Sequence, residues 1–321
     1  MSCFIVTGGA GFVGSHLTEA LVKSGHEVIV IDDLSNGTVE NIKGLDVKFL
    51  QLDISNPFSE IIFKKFPNLK VKAIFHLACF PRSISFDNPL RDVDVNIKGM
   101  INVIQFAKKT KCKVIFSSNS GIYGSHEKLP INESYPDNPL TPYDIDKLAA
   151  EHYLRIYSSQ FSFPATIFRF ATVYGSRQKI SPHWKPVIAE FVCKMLEGIP
   201  PTIEGDGEQT RDFIHVSDIV DALLKSVDAQ TDLTPIILSS NKMLSINQLY
   251  AKIARTLKFD KIPNRAPEKM GDIRRMCYDN SKAKKLLNWT PRTDLESAII
   301  NDVIPYYRNL LQKRIHETIK S

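Results

Sequence analysis

Short runs of β-branched and aromatic residues alternate with longer segments of helical spacing over the first 170 positions of the chain. The helical segments cover residues 12–23, 93–109 and 142–157. Strands that alternate with helices are typical of a parallel sheet covered by helices on both faces, which is a doubly wound α/β fold. The pattern predicts strands at residues 4–7, 28–31, 47–50, 73–77, 114–117 and 166–170.

The pattern changes after residue 175. Residues 176–186 are rich in loop formers, and Pro200-Pro201 and Gly205-Asp206-Gly207 predict turns. A strand-like stretch at 212–216 precedes a helix at 217–227, and residues 294–311 predict a closing helix. We therefore expect two domains, residues 1–175 for the sheet and residues 176–321 for a smaller α/β lobe, with some segments of the lobe returning to the sheet. Ligands of such folds bind at the carboxyl edge of the strands.

The composition of the chain argues against nucleic-acid, membrane and metal partners. The 41 Lys and Arg against 35 Asp and Glu give a net charge of +6, without the basic runs that nucleic-acid binding favours. No apolar run is long enough for a membrane helix. The five cysteines are scattered without a Cys-x-x-Cys pair, so we expect neither a metal site nor disulfides, and a cytoplasmic setting.

A glycine-rich turn connects the first predicted strand to the first helix. Gly8, Gly11 and Gly14 stand where a tight turn, a close approach of the backbone to a pyrophosphate, and close helix–strand packing require them. Asp32 ends the second strand 18 residues beyond Gly14. A carboxylate there accepts hydrogen bonds from ribose hydroxyls and repels a 2′-phosphate, which favours NAD over NADP. Asp33 can share this role.

Tyr143 and Lys147 lie four residues apart on a predicted helix and so share one face. A nearby ammonium group and an oxidised nicotinamide both favour the phenolate, which predicts a lowered tyrosine pKa and a proton shuttle for a sugar hydroxyl. The spacing alone also suits a solvated helix face, and Tyr278 and Lys282 match it. The run 117–120, Ser-Ser-Asn-Ser, before Tyr143 places polar groups near the nicotinamide and favours the first pair.

In these motifs the chain resembles the extended short-chain dehydrogenase/reductase family, in its nucleotide-sugar 4-epimerase and dehydratase branch, over nearly its whole length. The resemblance implies a Rossmann fold, bound NAD, a homodimer through the helices at 88–109 and 142–157, and no membrane or nucleic-acid partner. The matching motifs are Thr7–Gly14, Asp32, Asp53, His76-Leu77-Ala78, Asn96, the serine strand, Tyr143-x-x-x-Lys147, Val173-Tyr174-Gly175, Gly205-Asp206-Gly207, Arg211-Asp212-Phe213 and Gly271-Asp272.

The resemblance also assigns roles to single residues. Tyr143 is implied as catalytic base and acid, Lys147 as its partner, and Ser118 or Asn119 as the polar group beside them. The residues implied for the substrate are Arg82, Ser83, Asn119, Thr172, Arg177, Arg211 and Asp272. Those implied for NAD are Gly8, Gly11, Phe12, Val13, Asp32, Asp33, Asn36, Gly37, Asp53, Ile54, Leu77, Ala78, Asn96, Ser117, Tyr143 and Lys147.

The departures from the family pattern discriminate among its reactions. Asn119 stands where a catalytic Ser or Thr is usual, and an amide donates a hydrogen bond but cannot relay a proton, which leaves Ser118 or Ser120 as the alternative hydroxyl. Dehydratases and decarboxylases carry acidic residues directly after this position, whereas this chain has Ser120-Gly121. Epimerisation needs only the tyrosine, the lysine and NAD. A threonine at position 172 resembles the pattern of the UDP-glucuronate 4-epimerases, in which it lies near the substrate carboxylate. In this chain, Arg177 and Lys179 would add positive charge beside it.

The hypothesis is therefore NAD-dependent 4-epimerisation of a nucleoside-diphosphate sugar, with a UDP-hexose favoured, through a transient 4-keto sugar. Three alternatives stay open at this point. They are a UDP-hexuronate 4-epimerase, a net oxidoreductase or 4-ketoreductase of the same fold, and a nucleotide-binding protein that has lost the chemistry.

Overall fold

A computed structural model describes residues 1–181, 184–268 and 272–320, with side chains to residue 314. Its strands are β1 (Cys3–Thr7), β2 (Glu27–Asp32), β3 (Lys48–Gln51), β4 (Val71–His76), β5 (Lys113–Asn119), β6 (Ala165–Phe170), β7 (Thr172–Tyr174), β8 (Thr202–Glu204), β9 (Thr210–His215), β10 (Ile236–Leu238), β11 (Met243–Ser245) and β12 (Asn264–Ala266). Its helices are α1 (Phe12–Lys23), α2 (Ser59–Lys65), α3 (Pro89–Val93), α4 (Gly99–Thr110), α5 (Pro142–Phe161), α6 (Val187–Leu196), α7 (Val216–Lys225), α8 (Ile246–Leu257), α9 (Ser281–Leu287), α10 (Leu295–Ala298) and α11 (Ile304–Lys320).

Within the described part of the chain, seven strands form one parallel sheet in the order β10-β6-β5-β4-β1-β2-β3. Separate apolar clusters cover its two faces, one packed around Phe75 and Phe168 and the other around Phe106 and Phe116. Burial on both faces explains why these strands are apolar at successive positions rather than at alternate ones. The predicted doubly wound fold is confirmed, and the six predicted strands begin and end within two residues of the observed ones.

The seventh strand comes from the second half of the chain. Ile236, Ile237 and Leu238 pair in parallel with Phe168, Arg169 and Phe170 of β6, so β10 forms the edge of the sheet. The sequence pattern did not predict this strand, because three residues are too few to show a period.

The helices differ from the prediction in their ends. The predicted helix at 93–109 begins earlier, with α3, and continues through a π-helical turn at Asp94–Lys98 into α4. Helix α5 extends four residues beyond its predicted end, to Phe161. It begins at Pro142, and the Thr141 side chain caps it by accepting from the Asp144 N–H. A threonine cap followed by proline fixes the start of the helix and thereby the position of Tyr143.

The second lobe combines a small sheet, β11-β9-β7, and the pair β12-β8 with helices α6, α8 and α11. Its core includes Tyr174, Phe191, Leu249 and Tyr307. β7 follows β6 after the single residue Ala171, so the chain passes into this lobe at the carboxyl edge of the large sheet. None of the described helices is both long and apolar enough to cross a bilayer.

Candidate active site

The turn between β1 and α1 is built so that only glycine fits at its key positions. Gly8 has a φ of +69°, and a Cβ on Gly14 would lie 2.0 Å from the Gly8 carbonyl oxygen. The Gly8 N–H donates to the Ile31 carbonyl oxygen at 2.8 Å, which joins the turn to β2. Gly11 begins α1 without a side-chain cap, so the first N–H groups of this helix remain available to a phosphate.

Above this turn lies a cavity of about 440 Å³, long enough to follow β1, β2 and β4 along the sheet edge. The close backbone approach at Gly8 and Gly14 and the carboxylates at the far end fit a dinucleotide. The implied NAD residues that line it are Gly8, Gly11, Phe12, Val13, Asp32, Asp33, Asn36, Gly37, Ile54, Leu77 and Ala78, joined by Ser83.

Asp32 is 7% exposed, and its carboxylate is fixed by two backbone donors. Ala10 N–H donates to Oδ2 at 2.9 Å and Leu34 N–H donates to Oδ1 at 2.8 Å. Burial raises the pKa of this carboxyl. Because each carboxylate oxygen accepts more than one hydrogen bond, Asp32 retains capacity for the ribose hydroxyls.

Two implied cofactor residues lie behind the cavity wall rather than on it. Asp53 pairs with Arg91, whose Nη2 is 2.8 Å from Asp53 Oδ2 and 3.4 Å from Asp33 Oδ2. Asn96 Oδ1 accepts from the Phe80 N–H at 3.2 Å and so fixes the loop after β4. Arg91 lines the cavity and was missed by the sequence analysis, since no motif distinguishes it from other arginines of a helix surface.

A second cavity, of about 390 Å³, continues the first and lies between the two lobes. Its walls include Ser117–Gly121 at the end of β5, Tyr143 on α5, and Phe213 and Met276 from the second lobe. The residues that line both cavities are Phe12, Val13, Asn36, Leu77, Cys79, Phe80, Pro81 and Trp184.

Lys147 is buried behind Tyr143. Its Nζ donates to the Ser117 carbonyl oxygen at 2.8 Å and lies 5.7 Å from the centre of the Tyr143 ring. Burial raises the pKa of Tyr143 well above its ordinary value, and the adjacent Cys79 and Asp144 raise it further. Burial lowers the pKa of Lys147. The predicted lowering of the tyrosine pKa is therefore not produced by the protein groups alone.

The polar groups at the end of β5 are not equivalent. The Ser117 hydroxyl donates to the His76 carbonyl oxygen at 3.1 Å, and the Ser118 hydroxyl donates to Glu151 Oε1 at 2.5 Å. The Ser118 hydroxyl is thus held by Glu151, although the residue also lines the second cavity, and its catalytic role stays a prediction. Asn119 Oδ1 accepts from the Gly121 N–H at 2.6 Å, while its buried Nδ2 has no partner among the described residues.

Glu151 belongs to a buried ion cluster behind this strand. Arg169, 2% exposed, donates to Glu151 from Nε at 2.9 Å and from Nη2 at 2.8 Å, and to Asp137 from Nη1 at 2.6 Å. Its guanidinium also lies 4.6 Å from the centre of the Tyr123 ring. Arg155 Nη2 adds a third contact to Glu151 at 3.0 Å.

Most of the implied substrate residues meet in the second cavity. Arg211 ion-pairs with Asp272 and donates from Nη1 to the carbonyl oxygens of Thr210 and Ile273, both at 2.8 Å. Those that line the cavity are Arg82, Asn119, Thr172, Arg211 and Asp272. Gly271, which belongs to the same motif as Asp272, lies outside the described residues.

Ser83 and Arg177 are the exceptions. Ser83 lines the cofactor cavity and not the second cavity. Arg177 ion-pairs with Glu19 on α1 and lines neither cavity. Its φ of +64° lies in the left-handed region, which the sequence did not indicate. Lys179 lines the cofactor cavity and not the substrate cavity.

Comparison with known proteins agrees with this geometry. A family model described as the NAD dependent epimerase/dehydratase family matches residues 4–237. The chain belongs to the NAD-dependent epimerase/dehydratase family. The UDP-glucose 4-epimerase of Mycolicibacterium smegmatis is 32% identical to this member over 316 residues, which cover 96% of this chain and 99% of that protein.

Solved structures of this epimerase/dehydratase fold are also similar. A UDP-glucose 4-epimerase from Thermotoga maritima, solved with UDP-glucose, has a TM-score of 0.91 at 34% identity, covering 96% of this chain and 99% of that chain. A UDP-glucuronic acid 4-epimerase from Bacillus cereus, solved with UDP-glucuronic acid and NAD, has a TM-score of 0.85 at 29% identity with the same coverage. The resemblance to the 4-epimerase branch and the assignment of NAD are confirmed.

Proposed function

We propose that this protein is an NAD-dependent nucleotide-sugar 4-epimerase whose substrate is a neutral UDP-hexose. One observation carries the proposal: Tyr143 and Asn119, whose amide nitrogen has no partner among the described residues, line a substrate cavity that continues directly into the dinucleotide cavity. A sugar in this position has its carbinol beside both a proton acceptor and the cofactor ring.

The chain's own residues supply proton transfer and orientation. Tyr143 takes the proton from the C4 hydroxyl and returns it after the 4-keto sugar has rotated in the site. The Asn119 amide donates a hydrogen bond to the same oxygen. The positive charge of Lys147 favours the phenolate. Arg211 and Asp272 hold the nucleotide, so the sugar can rotate without leaving the site. Bound NAD supplies a reversible hydride acceptor at C4, so nothing is oxidised overall.

The charges of the substrate cavity favour a neutral sugar over a hexuronate. Among the described residues, the two arginines that line it are both paired with carboxylates, Arg82 with Asp144 and Arg211 with Asp272. Arg177 pairs with Glu19 elsewhere. A C6 carboxylate would enter this cavity without an unpaired arginine to neutralise it, and burying such a charge is costly.

The substrate test is a proton NMR screen of the purified protein with UDP-glucose, UDP-galactose and UDP-glucuronate, without added cofactor. We expect interconversion of the two neutral sugars and turnover of UDP-glucuronate at least about tenfold slower, since its carboxylate lacks a partner. Preference for UDP-glucuronate would contradict the neutral-sugar assignment. In a parallel sample with added NAD, consumption of the NAD in proportion to product would indicate a net oxidoreductase. Binding without turnover would indicate a nucleotide-binding protein.

Asn119 provides a second prediction. Asn119→Ala removes the amide donor to the C4 oxygen and should lower kcat about 10²-fold, with KM for the UDP-sugar little changed. The matched variant Ser120→Ala removes the neighbouring hydroxyl, which also faces the cavity, and should leave kcat within about threefold of the unmodified enzyme. The reverse result in steady-state kinetics would assign the role to Ser120.

The division of labour between the lobes is also a proposal. Residues 1–175 would bind NAD and residues 176–321 the nucleotide sugar, with β10 completing the sheet of the first part. We further propose a cytoplasmic protein, which the absence of paired cysteines among Cys3, Cys79, Cys112, Cys193 and Cys277 supports.

We propose a homodimer through α3 and α5. These helices contact each other and expose large apolar side chains: Leu90 is 81% exposed and Ile156 is 64% exposed. Leu90→Arg combined with Ile156→Arg should convert a dimer to a monomer in size-exclusion chromatography with light scattering, because each arginine would have to be buried without a partner. Ile262→Arg, at an 84% exposed position of the second lobe, is the control and should leave the mass unchanged.

A further inference from the structure

A buried ion pair lies directly beside the proposed catalytic tyrosine. Asp144 follows Tyr143 in the first turn of α5, and its carboxylate is fully buried. Arg82 donates to both carboxylate oxygens, from Nε to Oδ1 at 3.2 Å and from Nη2 to Oδ2 at 3.2 Å. A two-point contact of this kind fixes the guanidinium in its plane as well as neutralising the charge.

The space for this carboxylate is provided by Gly121. A Cβ at position 121 would lie 2.9 Å from Asp144 Oδ1 and 2.5 Å from Asn119 Oδ1, so even alanine would crowd both side chains. Arg82 comes from the opposite side, from the short 3-10 helix Arg82–Ile84 after β4, and its side chain is 36% exposed to the cavity. Arg82, which lines the substrate cavity with Tyr143 and Gly121, is thus paired with a carboxylate that does not itself line the cavity.

We propose that Arg82 acts as a positioning residue that neutralises Asp144 and thereby sets the pH range in which Tyr143 accepts the substrate proton. The Asp144 carboxylate raises the pKa of Tyr143 even when it is paired. Without the guanidinium that binds both of its oxygens, it would disfavour the phenolate further. Nothing in the comparisons assigns Asp144 a role. The expected effect of the ion pair on catalysis rests on the proposed 4-epimerase function. Its expected effect on the ionisation of Tyr143 does not.

Other charged or titratable groups also face Tyr143. Lys147 lies on its own helix, Cys79 comes from the loop after β4, and Asp92 comes from α3. Burial and these neighbours together keep the pKa of Tyr143 high in the protein alone. All of them are retained in the variants below, so differences among those variants report on the Arg82–Asp144 pair.

The test compares Arg82→Gln, Asp144→Asn and the double variant. Arg82→Gln leaves the carboxylate unopposed, so the acidic limb of the pH–kcat profile should move up by about one pH unit. Asp144→Asn leaves the guanidinium unopposed and should move the limb down by a similar amount. The double variant removes both charges and should return the limb close to its original position, while Arg82→Lys, which keeps the positive charge, should hardly move it.

A second readout does not depend on turnover. Ultraviolet titration of tyrosinate in the NAD-loaded protein, taken as the difference from Tyr143→Phe, should show the same order of midpoints for the variants. If the midpoints and the acidic limbs coincide in all variants and only KM or kcat falls, the pair is a structural or substrate contact and the proposal is wrong. If no sugar is turned over but the midpoints move as expected, the ion pair has this role and the epimerase assignment fails.

Discussion

Tyr143→Phe is expected to lower kcat for interconversion of the UDP-hexoses by about 10²–10⁴-fold, because it removes the only atom of this side chain that can exchange a proton with the C4 hydroxyl. The ring itself remains, so the packing of α5 against β5 is kept. Binding of NAD and of the UDP part of the substrate should persist, since the glycine turn and Arg211 are unchanged. Steady-state kinetics and calorimetric titration with UDP measure the two effects separately.

The matched control for this variant is Tyr153→Phe. Tyr153 lies on the same helix, but its side chain is 39% exposed and it lines neither cavity. It should retain full activity. Near-normal turnover by Tyr143→Phe would contradict the proposed mechanism, whatever the behaviour of the control.

Arg169→Met is expected to lower the free energy of unfolding by about 3–5 kcal/mol, because it leaves the fully buried Glu151 without its main partner. Methionine fills much of the space of the arginine stem. The loss of free energy of unfolding therefore comes from the unpaired charge of Glu151 rather than from a cavity. Urea denaturation followed by circular dichroism measures it. The loss of stability should not exceed this range, because Ser118 and Arg155 still contact Glu151.

Two further variants separate the buried charge from simple damage to the core. Arg155→Met removes the half-exposed partner of the same glutamate and should cost less than about 1 kcal/mol. Combining Arg169→Met with Glu151→Leu removes both buried charges and should recover most of the lost stability. If the double variant is no more stable than Arg169→Met alone, the cluster does not act through unpaired charge.

The features that the sequence predicted are those encoded by neighbours along the chain. The glycine turn, Asp32 and the Tyr143–Lys147 pair each combine a short spacing with an element of regular structure, and the structure places them around continuous cavities. Local spacing also predicted the strands β1 to β6, since strands buried on both faces of a parallel sheet are apolar at successive positions.

The features that it missed depend on residues far apart in the chain. Nothing near Asp144 indicates Arg82, which lies 62 residues earlier, and nothing near Ser118 indicates that Glu151 takes its hydroxyl. Tyr278, whose spacing to Lys282 matches that of Tyr143 and Lys147, is buried with its hydroxyl 3.4 Å from the Ser120 carbonyl oxygen. Tertiary contacts of this kind decide whether a side chain faces a cavity or the core, and local spacing carries no information about them.

The origin of β10 has a consequence for how this protein is made. During synthesis, β6 emerges well before residues 236–238, so the outer N–H and C=O groups of β6 have no partner until the ribosome has added roughly another seventy residues. An unpaired strand edge is a template for association with another chain. Nascent chains stalled in this interval should therefore need chaperone protection that the finished protein does not.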